Sequence, residues 1–225
     1  MVQAYHAVFC AYGFWLPNDP RGSWSDFVRT WELRLFGPAT KVTTRRSDAA
    51  SPHDRDLREV AKMALRFPAV NFNGYQALSI ARGFATASTL SEYRVLACSI
   101  LPQHVHVVVP RHERPIEKIV AHLKAEATRQ LNAEGRHPLL GYTESPGRAP
   151  SPWARKCWKV FLNNNDDIRR AIRYVQDNPA KEGKRRQEWP FVTSFEGSPR
   201  RASPPAKRFS GDACVARIRF ATRRS

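Results

Sequence analysis

The sequence predicts an α+β protein in which helices pack on an antiparallel sheet. Apolar runs rich in β-branched and aromatic residues alternate with helical spacings in the order strand, helix, strand, strand, helix, strand, helix. That order is a split βαβ unit with one helix added. The 225 residues are 42% hydrophobic and 11% aromatic, apolar enough to exclude wholesale disorder. The chain is also long enough to fill a core without disulfides or a structural metal.

Tyr5 to Tyr12 reads as the first strand. It runs into an aromatic loop, Gly13 to Trp24, marked by Pro17, Asn18, Asp19, Pro20 and Gly22. Gly37 to Pro52 is polar and basic without apolar periodicity and reads as an insertion, and His53 to Arg66 as a short helix. Asn73 to Thr86 is a longer helix, with Leu78, Ile80, Ala81 and Ala85 for its packed side. Tyr93 to Ile100 and His104 to Val109 form a hairpin across Leu101-Pro102-Gln103. Ile116, Ile119, Val120 and Leu123 give Arg114 to Glu134 a helical spacing. After a loop over Arg136 to Trp153, Trp158 to Leu162 is the fourth strand. Asp166 to Asn178 is the last helix, with Asp166 and Asp167 at its positive end and Pro179 as its stop. Residues 1–195 thus form the folded domain, and 196–225, basic and rich in Pro and Ser, a mobile tail.

Charge narrows the partner. Lys and Arg number 37 against 20 Asp and Glu, a formal net charge of +17, which points to a polyanion and most simply to nucleic acid. Cys10, Cys98, Cys157 and Cys214 are far apart, so neither a zinc ribbon nor a disulfide framework is indicated. No basic run precedes an apolar segment at the N-terminus, and the longest apolar stretch, Ala7 to Leu16, is about half a bilayer span. A soluble, cytoplasmic protein without a membrane partner is the expectation.

Gln103-His104-Val105-His106-Val107-Val108-Val109 is the most informative stretch. Strand alternation puts Val105, Val107 and Val109 on one face and His104 and His106 on the other. The two imidazoles then stand side by side at a spacing that can grip one metal ion. Two unrelated histidines on a solvated face is the plainer alternative. On the last helix, Ile168, Ala171, Ile172 and Val175 form the core stripe, with Tyr174 and Asn178 one turn apart on its flank. Tyr174 there can reach a site at the sheet surface, or serve as an ordinary boundary residue. Asn178 before Pro179 also suits a helix end. Together the constellations suggest chemistry. A phenol is a poor nucleophile near neutral pH, and a divalent ion can activate its phosphate target.

Here the sequence resembles a known family. Residues 101–109, Leu-Pro-Gln-His-Val-His-Val-Val-Val, look like the histidine-hydrophobe-histidine (HUH) motif of the REP-associated tyrosine transposases. Tyr174-Val175-Gln176-Asp177-Asn178-Pro179 and the basic, Gly-containing turn after it look like their nucleophile helix. Tyr5 to Phe9, the loop from Trp15 to Trp24, and Trp153 with Trp158 to Leu162 add to a resemblance covering most of residues 3–195. It implies a ferredoxin-like antiparallel sheet with flanking helices, the HUH nuclease fold. It implies that His104 and His106 bind the catalytic metal, with Asn178 as third ligand. Tyr174 would attack a single-stranded DNA phosphate, giving a 5′-phosphotyrosine and a free 3′-hydroxyl. Position 103 is Gln where Asn is commoner in the family. Residues 25–72 are longer than the simplest members need, a family-variable insertion, and the tail has no clear counterpart.

Imidazole favours Zn, Cu, Fe or Ni while Mg²⁺ favours oxygen, yet the family is associated with Mg²⁺ or Mn²⁺. An amide oxygen from Asn178 eases that tension, and Mn²⁺ is the compromise. Arg169, Arg170 and Arg173 beside the tyrosine, and Lys181, Lys184, Arg185 and Arg186 after the helix, are candidates for phosphate contacts. Trp15, Trp24 and Trp31 are candidates for stacking on bases, against burial in the core. His6, His53, His112, His122 and His137 lack partner spacing and read as structural or solvated.

The expected activity is that of a tyrosine transposase: a metal-dependent endonuclease and strand transferase on single-stranded or hairpin DNA, acting at a prokaryotic nucleoid. The alternatives are a domesticated DNA binder without catalysis and a relaxase or replication initiator sharing the HUH motif. Either a homodimer or a monomer fits.

Overall fold

A computed structural model describes residues 1–14, 16, 31–37, 54–143 and 148–195. The elements run β1 (Ala4–Cys10), α1 (Arg55–Met63), α2 (Gly74–Leu90), β2 (Ala97–Ile100), β3 (His104–Pro110), α3 (Ile116–Ala133), β4 (Trp158–Leu162) and α4 (Asn165–Lys181). The strands form one four-stranded sheet in the order β2-β3-β1-β4. Every pair is antiparallel. This is the α+β, ferredoxin-like arrangement that the element order implies. The aromatic-loop residues Trp15 and Trp24, most of the polar insertion and the tail from Glu196 lie outside the described residues.

Strand alternation gives the sheet two different faces. Ala7, Phe9, Cys98, Ile100, Val105, Val107 and Val109 point into the main core, under α2 and α3. Asn73 opens α2 with a capping box shared with Gln76. The packed side of α2 centres on Ile80, Phe84 and Ala87, whereas Leu78 and Ala85 are only half-buried. The reason for this shift is the α3 contact: Gly83 lies so close to α3 that an added Cβ would meet the Ala127 Cα at 2.5 Å. Glycine there lets two helix backbones touch. Val70 and Phe72, at the end of the segment read as an insertion, also join this core, with Phe72 against Trp153 at a ring distance of 4.9 Å.

The other face is covered by α4. Ala4, Ala97, Val108 and Leu162 from the sheet side meet Ile168, Ala171 and Val175 of the helix. Its start is as expected: Asn164 accepts from the Asp167 N–H, with Asp166 and Asp167 in the first turn. Its end is not. Pro179 lies inside the helix, which continues to Lys181. Proline removes one intrahelical donor, a small loss in a last turn that closes by other means. The Gly183 N–H donates to the Ala180 carbonyl (3.0 Å) and the Lys184 N–H to the Pro179 carbonyl (2.8 Å). Gly183 takes φ +67°. These bonds make a Schellman motif, and Gly183 rather than Pro179 is the stop.

The second strand is shorter than the apolar run suggests, starting at Ala97 instead of Tyr93. Upstream, Val95 leaves the β3 ladder to pair in parallel with Val192. Gln187 then closes the outer edge of β2: its side-chain amide accepts from the Ile100 N–H and donates to the Ile100 carbonyl, both at 2.7 Å. Cys10, Cys98 and Cys157 are free thiols, in line with the absence of a disulfide framework. Among the described residues no helix is long and apolar enough to cross a membrane.

Candidate active site

Register brings the histidines together. Val8 lies opposite His106, Cys10 opposite His104 and His6 opposite Val108. Directly opposed residues share a face, so His6, His104 and His106 all point toward α4, away from the valine face. The helix covers them, so the pair on β3 is not a freely solvated one: His106 is 6% exposed and the His104 side chain 16%, while His6 on β1 is 8% exposed.

From α4, Tyr174 projects toward this patch, and Asn178 lies buried one helical turn further on. The Tyr174 ring lies 5.7 Å from that of His106 and 5.8 Å from that of His6, both edge-on. His104 and His106 are 4.9 Å apart, ring to ring. His6 Nε2 and His106 Nδ1 share a hydrogen bond of 3.0 Å. Phe14, the start of the aromatic loop, stacks on His104 at 5.3 Å. Lys181 Nζ stands 4.6 Å over the Tyr174 ring, and Glu182 Oε1 lies 3.6 Å from His104 Nε2.

Burial sets the protonation states. It lowers His6 to about 4. It also holds His106 well below the ordinary imidazole value, helped by the neighbouring His104 and His6. Both rings are neutral at pH 7, the form that ligates metals. The Tyr174 phenol is pushed up, first by burial and then by the negative charge of Glu182. It therefore starts protonated and needs help to attack.

The donor set fits a divalent ion that tolerates both nitrogen and oxygen. His104 and His106 bring imidazole nitrogen, and Asn178 an amide. Asn178 is buried, and among the described residues its Nδ2 has no hydrogen-bond partner. An amide end so left is compatible with a donor to an ion. Among the described residues no group of three or more His, Cys, Asp or Glu side chains is already gathered to hold a metal.

The structure brings together three of the sequence-predicted residues, Tyr174, His104 and His106, with Asn178 buried one turn on along α4, and adds Lys181 from the DNA-contact candidates. The other cations are elsewhere on the helix or beyond it. Arg169 pairs with Asp166 at 2.9 Å and Arg170 with Asp167, both in the first turns. Arg186 donates to Gln176 (3.0 Å), while Arg173, Lys184 and Arg185 are exposed. Two site residues escaped the sequence reading. The sequence reads His6 as structural or solvated, and the structure bonds it to His106 in the same patch; alternation along β1 signals its face but not its partner. Glu182 lay beyond the presumed stop at Pro179, although it continues the four-residue ridge from Tyr174 and Asn178. His122 and His137 do have structural roles, the first beside Tyr93 and Glu126 and the second accepting from the Leu139 N–H.

No protein-family model matches the chain. In sequence it is similar to a Haemophilus influenzae protein named for the REP-associated tyrosine transposases, with 27% identity over 103 residues. The match covers 44% of this chain and 57% of the relative, so the chain spans little more than half of that protein's length. In structure it is similar to a REP-associated tyrosine transposase bound to a REP hairpin, at a TM-score of 0.42 and 14% identity, over 89% of this chain and 93% of that one. It is also similar to a transposase-named chain from Deinococcus radiodurans, at a TM-score of 0.34 and 10% identity, over 79% and 91% of the two chains. The sequence relative carries the name of the family that the two motifs resemble.

Proposed function

We propose that the chain is a REP-associated tyrosine transposase: a metal-dependent endonuclease and strand transferase on single-stranded or hairpin DNA. The observation that carries this is the Tyr174 ring standing 5.7 Å from that of the buried His106, with His104 4.9 Å from His106 ring to ring and Asn178 one helical turn on from the tyrosine. A phenol held next to candidate metal ligands is the arrangement that phosphoryl transfer to tyrosine requires.

His104, His106 and Asn178 would hold Mg²⁺ or Mn²⁺. When bound, the ion polarises a phosphoryl oxygen and offsets the charge that develops on it. Tyr174 supplies the nucleophile. As its oxygen bonds to phosphorus, the phenol proton leaves and the bond from phosphorus to the 3′ oxygen breaks. The 3′ oxygen takes up a proton and departs as a hydroxyl, and the 5′ side stays on Tyr174 as a phosphotyrosine. A second 3′-hydroxyl attacking that ester reverses the chemistry, joins the strands and frees the phenol. Lys181, against the Tyr174 ring, would pair with the scissile phosphate. Burial lowers the pKa of both His6 and His106, which favours their neutral, ligating form.

Incubation with hairpin-containing single-stranded DNA and Mn²⁺ is expected to give a covalent adduct on a denaturing gel. Tyr174→Phe and chelation should each abolish it. An adduct that survives Tyr174→Phe removes the nucleophile assignment. Binding without an adduct across hairpin, flanked-hairpin and linear substrates would instead favour a non-catalytic DNA binder.

A further inference from the structure

We infer that Glu182 supplies a carboxylate oxygen to the metal ion held by His104, His106 and Asn178, so that this chain's site is built from two nitrogens and two oxygens. The inference rests on the proposed function for the ion itself but concerns a residue outside the two motifs.

Three observations support it. First, Glu182 Oε1 already stands 3.6 Å from His104 Nε2, the outer nitrogen of a candidate ligand. Second, Tyr174, Asn178 and Glu182 follow one another at intervals of four, so nucleophile, amide and carboxylate lie along one ridge of the same helix. The extension of α4 past Pro179 to its Gly183 stop is what places the third of them there. Third, Asn178, midway along that ridge, has a buried amide nitrogen with no hydrogen-bond partner among the described residues.

Charge gives the arrangement its purpose. Imidazole ligates metals in its neutral form and an amide carries no charge, so a dication held by these side chains lacks a compensating anion. Hard ions such as Mg²⁺ and Mn²⁺ favour carboxylate oxygen over imidazole nitrogen. One glutamate supplies both the charge and the preferred donor. Its side chain is 36% exposed at the helix C-cap, where it has room to turn from His104 toward an ion that both would share.

The test is Mn²⁺ binding to the full chain without DNA, by calorimetry and by the electron paramagnetic resonance signal of free Mn²⁺. Wild type, Glu182→Gln, Glu182→Asp and His106→Ala are compared, with thermal melts to verify folding. Glu182→Gln should weaken Mn²⁺ binding about tenfold or more, the scale seen when ligand shells lose a member. Glu182→Asp keeps the charge on a shorter arm and should fall between. Glu182→Gln should also shift relative affinity from Mn²⁺ toward Zn²⁺. If His106→Ala weakens binding while Gln and Asp at 182 bind as wild type does, Glu182 is no ligand and the proposed function stands. If wild type binds no Mn²⁺, or His106→Ala makes no difference, the metal site and this inference fall together.

Discussion

His6 Nε2 and His106 Nδ1 meet at 3.0 Å across the two central strands, with their rings stacked at 28°. When His106 Nε2 is left unprotonated for a metal, its Nδ1–H donates to His6. On the proposed function, His6 would therefore position a ligand without touching the ion. Replacing it with Phe should lower Mn²⁺ affinity about ten- to a hundredfold, and Asn, which keeps a hydrogen-bonding head, should recover part of the loss. Calorimetry on the two variants measures this, and equal affinity in Phe and wild type would rule the role out.

The same burial makes the fold sensitive to acid. His6 sits at about 4 when folded, below its ordinary 6.5, and His106 is also held low. The unfolded chain thus binds these protons more readily than the folded one. Stability present at neutral pH should be lost as pH falls from the unfolded value of His6 toward its folded one, by roughly 3 kcal/mol for His6 alone. Urea midpoints between pH 7.5 and 4.5 should drop, and His6→Asn should flatten the slope. A pH-independent midpoint in wild type contradicts the expectation.

Lys181 and Arg169 should differ as DNA contacts. Lys181 stands over the Tyr174 ring, whereas Arg169 is engaged by Asp166 near the helix start. Lys181→Ala should slow adduct formation and reduce the slope of log affinity against log salt by about 0.7 on single-stranded DNA. Arg169→Ala should change both less. Fluorescence anisotropy over a salt series separates the two, and equal slopes for the two variants would count against this assignment.

Gly83→Ala tests the opposite side of the sheet. Its new Cβ would meet Ala127 backbone at 2.5 Å, so α2 and α3 must part. A cost of about 1–3 kcal/mol is expected in urea unfolding. Adduct formation by the molecules still folded should be unchanged, because the site lies under α4. A variant as stable as wild type would mean the helices yield freely.

The sequence made the order of elements legible because strand and helix periods differ. It also made His104, His106, Tyr174 and Asn178 legible, since each pair is local: two residues apart on a strand, four apart on a helix. His6 was hidden for the opposite reason. Its partnership with His106 spans 100 positions and depends on which β1 residue faces which on β3, and no local pattern encodes that register. Glu182 was hidden by a rule applied where it does not bind: proline ends a helix by removing a donor, but a last turn closed through Gly183 does not need it. The packed side of α2 was legible only in part: Ile80 and Ala81 are in the core, but Leu78 and Ala85 are half-buried, and Gly83 has no side chain to mark where another backbone touches.

The Gln187 clamp on Ile100 bears on how two copies of this chain could meet. An exposed strand edge is an invitation to extend the sheet from one molecule into the next. Here a side-chain amide imitates the missing neighbour, offering Ile100 the same donor and acceptor that another strand would. Continuation of the sheet through β2 at that point would first have to evict it. A dimer joined by shared sheet would be directed to β4, the other outer strand.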